Sequence, residues 1–289
     1  MNKANSDNLS LYFFFTLTLT WYMGFLPFFL GQREASTGFL KLTDGAIMIP
    51  SIVGVIIVFA SYNAEEKRDY LKRLLSFKHM GIRWPISAML FYAVVCGITI
   101  LVSTFLLDGE IPEFDLLKTF IQRPYMIIIF FILAFMGGPL HEEFGWRGFA
   151  LDKLFVRFGF WAGSVILGFI WGIWHFPWYF YQGDSLYILW HISPIHGIMF
   201  ILSTITLSCI ISIVYIKTNR SILSAFFVHT FVNFFIGVLP GSCDEKYLVA
   251  SVYVQTVLEI LVILYFINNF KFRYEVKTQI ALLKRNIVQ

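Results

Sequence analysis

Long apolar runs broken by short polar clusters give this chain its pattern. Eight runs stand out, at about 10–31, 45–62, 85–107, 124–140 and onward, 159–180, 193–216, 221–240 and 247–269. A helix needs about 20 apolar residues to cross a hydrocarbon layer of roughly 30 Å. The pattern therefore predicts an all-α, polytopic transmembrane helix bundle of about eight spans. Residues 1–289 read as a single integral membrane domain, because there is no repeat, no low-complexity tract and no loop long enough for a soluble domain. No small-residue cleavage site follows the first run, so a retained first helix is expected there rather than a signal peptide. Residues 64–80 alternate charges with Leu71, Leu74, Leu75 and Phe77, the pattern of an amphipathic helix lying on the membrane face.

The composition agrees with a lipid setting. Apolar residues make up 58% of the chain and charged residues 14%, against roughly 25% charged in soluble domains. Mean hydropathy is +0.71. The net charge of +4 matters less than its placement. Basic residues gather at 63–84 (Lys67, Arg68, Lys72, Arg73, Lys78, Arg83), at 141–158 (Arg147, Lys153, Arg157), at Lys217 and Arg220, and in the tail from Lys271 to Arg285. The alternate loops are poorer in them, so the positive-inside rule predicts a cell-membrane protein with both termini cytoplasmic. No basic run has the look of a nucleic-acid footprint, and the expected surroundings are the lipid bilayer. Cys96, Cys209 and Cys243 form no CxxC pair, and cysteine is not expected to hold a metal.

Three polar constellations interrupt the apolar runs, where ionisable groups are expensive and usually functional. The first is His141-Glu142-Glu143-Phe144-Gly145-Trp146-Arg147. Spacing of four puts Glu143 and Arg147 on one helical face, within pairing distance. Glu142 then points about 100° away, free for chemistry. The second is His175, among tryptophans at the end of the fifth run. The third is His229 with Asn233, four apart and so on one stripe among phenylalanines. Each also has a plain structural reading: an interfacial charge cluster, an interfacial histidine, and polar glue between helices. His79, His141, His191 and His196 are read as interfacial or supporting rather than catalytic.

Depth separates the two readings. A helix running unbroken from Tyr125 to Phe155 would be about 46 Å long, so it must protrude, tilt or break, and Gly137-Gly138-Pro139 is the natural break. Measured from the turn near Arg157–Gly159, Glu142 lies about 22 Å into the layer and His175 about 24 Å. From the turn at Arg220, His229 lies about 14 Å in and Asn233 about 20 Å. Four groups on three helices thus come to a similar level, which predicts a membrane-embedded polar cavity. A carboxylate and a histidine can hold and deprotonate water, and a histidine and an amide can donate to an oxyanion. No serine or cysteine stands as a nucleophile. The same set allows a second use, in which Glu142, His175 and His229 ligate zinc, although the HExxH signature is absent.

The order E-E-x-x-x-R, aromatic-x-x-x-H, H-x-x-x-N over three runs resembles the CAAX-protease and bacteriocin-processing (CPBP, or Abi) family of intramembrane proteases. The likeness covers residues 125–240, the expected catalytic core. It implies an endopeptidase in which Glu142 and His175 activate water, His229 and Asn233 form the oxyanion hole, and Glu143 and Arg147 support them. It implies no required cofactor, or zinc in a metalloprotease version, and a prenylated CAAX-type or other membrane-associated peptide as substrate. Trp171, where the second motif commonly carries phenylalanine, keeps an aromatic wall. Two rivals are a non-catalytic immunity or scaffold protein of the same fold and a transporter with a buried proton relay. The transporter would be expected to show an inverted repeat, which the sequence lacks.

Overall fold

A computed structural model of the chain describes residues 3–34, 45–75, 77–111, 114–239 and 244–288. Cys243 lies outside the described residues, as does the side chain of His79. The architecture is all-α. Its main helices are α1 (Lys3–Phe29), α2 (Ile49–Ser61), α3 (Ala64–Leu75), α4 (Arg83–Leu106), α5 (Met126–Met136), α6 (Pro139–Phe158), α7 (Phe160–Trp174), α8 (Pro194–Lys217), α9 (Ile222–Val232), α10 (Glu245–Asn268) and α11 (Phe270–Val288).

All eight apolar runs are helical, but they differ in reach. Five are long and apolar enough to cross a membrane, and the bent pair α5–α6 makes a sixth when counted as one span. The other two, α2 and Ile222–Gly237, are shorter. At 1.5 Å per residue the 13 residues of α2 extend about 20 Å, less than the hydrocarbon layer. The bend between α5 and α6 is 40° and falls at Gly137–Gly138, where the sequence placed the break.

Helix α8 is the central mast. Thr206 to Ile216 is an unbroken buried run, so this helix is apolar all round because protein, not lipid, surrounds it. Gly168 and Gly172 of α7 let that helix approach α8 closely. A Cβ on Gly168 would stand 2.6 Å from the Ile205 Cα, and one on Gly172 would stand 2.6 Å from the Thr204 Oγ1. Small residues four apart are the usual means of such an approach in membranes, where dispersion contact replaces the hydrophobic effect. The outer helices show lipid-like faces instead: on α5, Ile127, Ile128, Ile129, Ile132, Leu133 and Met136 are all exposed.

The basic residues that guided orientation are not all in loops. Arg147 is fully buried in α6, and Lys153 and Arg73 are buried as well. Residues 141–158 therefore hold one basic residue outside the core, Arg157. Arg73 belongs to an ion cluster. It meets Asp69 at 2.8 Å and Asp152 at 3.4 Å, while Arg220 meets Asp152 at 2.7 Å and Asp69 at 3.1 Å. The Tyr215 hydroxyl accepts from Arg73 Nη1 and donates to Asp152. The amphipathic segment is thus helical as expected, but its basic residue Arg73 points into the bundle and ties α3 to α6, α8 and the turn before α9.

Candidate active site

The residues singled out in the sequence sit on α6, α7 and α9. Proline at the first position of α6 starts a helix without losing a needed N–H, and its first turn carries Glu142. The helix then widens into a π turn over Trp146–Ala150, and α9 does the same over Asn233–Val238. Such wide turns recur at functional sites. Here one follows the acidic pair and the other begins at Asn233.

Glu143 and Arg147 pair at 2.8 Å with both side chains fully buried, as their i,i+4 spacing requires. The same Glu143 oxygen also accepts from His229 Nδ1 at 2.8 Å. One nitrogen of His229 is therefore tied to the acidic pair, and Nε2 is the nitrogen left for other work. His175 is held in a similar way: its Nδ1–H donates to the Trp171 carbonyl at 2.8 Å, which leaves Nε2 as the basic atom.

Glu142 is the open carboxylate. Its Oε2 accepts from the indole N–H of Trp171 at 2.6 Å, and its Oε1 points to a shared spot. The absent Cβ of Gly138 marks that spot. An atom there would stand 3.0 Å from Glu142 Oε1, 3.2 Å from Asn233 Nδ2 and 3.6 Å from His229 Nε2. Gly138 has φ −172, an extended value open to any residue, so the requirement for glycine is one of space.

Trp171 is the residue whose part the sequence reading understated. It forms an aromatic wall as expected, with its ring edge-on to His229 at 5.0 Å. It also stacks beneath Arg147 at 4.6 Å, donates to Glu142 and accepts from His175. Phenylalanine could supply the wall but not the donor. A signal was present, since a buried tryptophan must place its N–H on an acceptor. His175, His229 and Asn233 line one cavity of about 320 Å³ together with Trp171, Tyr247 and Gln255. His191 and His196 stand apart, on Tyr187 and Tyr253 respectively.

Zinc takes three or four N, O or S ligands at about 2.0–2.3 Å. Among the described residues no three His, Cys, Asp or Glu side chains stand close enough together to hold one ion. The groups that meet beside Gly138 are one carboxylate, one imidazole and one amide. This donor set fits a water molecule or a polarised carbonyl, and it does not gather Glu142, His175 and His229 into a ligand shell.

Two imidazoles and an amide line one cavity, a carboxylate meets one of the imidazoles and the amide beside Gly138, and five or six helices are apolar enough to cross a membrane, which makes this an integral membrane protein with a polar site among its helices. Residues 124–235 match the family model described as type II CAAX prenyl endopeptidase Rce1-like. The CAAX prenyl protease 2 of Methanococcus maripaludis is 28% identical over 248 residues, covering 85% of this chain and 90% of that protein. The chain is thus similar to the CAAX-type intramembrane endopeptidases that its motifs resemble, and all four candidate residues fall inside the matched segment.

Proposed function

We propose that this protein cleaves a membrane-associated peptide by direct attack of water. The observation that carries the reading is the meeting of Glu142 Oε1, Asn233 Nδ2 and His229 Nε2 about the space left by Gly138. Water held by Glu142 and His175 attacks the scissile carbonyl carbon, and its proton passes to one of these two bases. The carbonyl oxygen becomes an oxyanion, which accepts from the Asn233 amide and from His229 Nε2–H. In that role His229 carries a proton on both nitrogens, with Nδ1–H on Glu143. Collapse of the tetrahedral adduct expels the amine, which takes up the proton from the base. Glu143 and Arg147 hold His229 and Trp171 in place. The name of the Methanococcus relative supports a prenylated C-terminal peptide as substrate, and the charge pattern supports a cell-membrane location with cytoplasmic termini.

The test uses the purified full chain and a fluorogenic farnesylated CAAX peptide. Glu142→Ala and His175→Ala should each remove cleavage while leaving the protein folded. Cleavage retained in both would sink the assignment. A metal-free reaction should also survive exhaustive chelation, with no stoichiometric zinc by elemental analysis.

A further inference from the structure

Glu259 is fully buried in α10, and no cation meets it among the described ion pairs. Its oxygens accept from the Tyr92 hydroxyl at 2.8 Å, the Thr206 hydroxyl at 2.5 Å and Gln255 Nε2 at 3.1 Å. The carboxyl thus joins α4, α8 and α10 at one point. A carboxyl inside an apolar bundle is a costly way to join helices, and such groups usually serve a function. The water-activating set on α6, α7 and α9 does not use it.

Gln255 shows what the carboxyl can serve. It lies one helical turn before Glu259 and lines the same cavity as His175, His229 and Asn233. Other hydroxyls lining that cavity are turned to backbone carbonyls: Ser203 donates to that of Phe200, Thr204 to those of Ile201 and Gly168, Ser251 to that of Leu248 and Tyr247 to that of Ile236. Gln255 has one N–H on Glu259, which leaves a second N–H and a carbonyl oxygen. That pair matches the C=O and N–H of a peptide unit. A cavity of about 320 Å³ measures about 7 Å across, the length of about two residues of extended chain.

We propose that Gln255, held in place by Glu259, is a peptide-backbone subsite facing the Glu142/His229/Asn233 centre across the catalytic cavity. It binds a peptide unit adjacent to the scissile one through paired hydrogen bonds, and Glu259 is its positioning residue. The proposal rests on the protease reading above, but its test does not depend on turnover.

Binding of a fluorescent farnesylated CAAX peptide is measured on the full-length Glu142→Gln chain, with and without Gln255→Leu. The expected result is affinity about five- to ten-fold weaker, as for one or two lost hydrogen bonds. In the cleaving chain, Gln255→Leu should raise KM by a similar factor with kcat within about two-fold. Glu259→Gln retains a side-chain carbonyl for Gln255 and should change KM less than Glu259→Leu. A peptide with an ester in place of the contacted amide keeps the carbonyl and loses the N–H, so Gln255→Leu should weaken its binding by less than it weakens that of the all-amide peptide. Equal binding of the all-amide peptide with and without Gln255→Leu would overturn the subsite, as would a fall in kcat alone. Absence of cleavage by the unaltered chain, with the Gln255-dependent binding intact, would count against the protease reading and leave the subsite standing.

Discussion

At the residue scale, the pairing of Glu143 with Arg147 was legible because it depends only on i,i+4 geometry. The contact from Glu143 to His229 spans 86 positions and was not, since it depends on which faces of α6 and α9 meet. The same holds for Trp171, whose four contacts lie on three helices, and for Gly138, which reads from sequence only as a helix breaker. Trp171 gives a direct prediction. Trp171→Phe keeps the aromatic wall and removes the donor to Glu142. Hydrogen bonds to charged groups contribute about 1.5–3 kcal/mol, so kcat should fall about ten-fold or more with KM little changed. Steady-state kinetics on the peptide substrate check this, and an unchanged kcat would remove Trp171 from the machinery.

At the element scale, the break between α5 and α6 was written in Gly137-Gly138-Pro139, and the amphipathic α3 was written in its charge alternation. The two π turns were not, because a shift from i+4 to i+5 bonding leaves no mark in composition. Nor was the docking of α3, whose buried guanidinium looks in sequence like one more surface charge. That docking can be measured. Removing one partner of a buried ion pair costs about 3–5 kcal/mol. Asp152 keeps Arg220 and Tyr215 when Arg73 is lost, so Arg73→Ala should destabilise the protein by about 3 kcal/mol, at the low end of that range. Thermal unfolding of the purified protein in detergent reads the change, and an unaltered midpoint would mean that α3 is not anchored by this cluster.

At the scale of the whole molecule, the eight apolar segments were legible from hydropathy, whereas their unequal lengths were not. Packing on other helices supports the short ones, which lipid alone would not favour: α2 lies against α1 and α6, and α9 against α4, α5, α6 and α8. The burial of Arg73, Arg147 and Lys153 removes three charges from the orientation argument, yet Lys67, Arg68, Lys72 and the tail still favour one side. Single cysteines in a cysteine-free background test it: Lys72→Cys and Lys277→Cys should react with an impermeant maleimide from the cytoplasmic face, and Lys118→Cys from the opposite one. Reaction of all three from one face would refute the arrangement. The wide turns at Trp146–Ala150 and Asn233–Val238 bear on chain length itself. Each holds one residue more than the α turn it replaces. A single deletion within Gly148–Ala150, past the Arg147 that pairs with Glu143, should let α6 close into an ordinary helix with its two ends still facing as they do, Glu142 toward Asn233 and Asp152 toward Arg220. The same deletion in the α turn after Leu151 rotates everything beyond it by about 100°. The site is therefore bordered, just beyond Arg147 and Asn233, by stretches where the chain can lose a residue without turning its chemistry away.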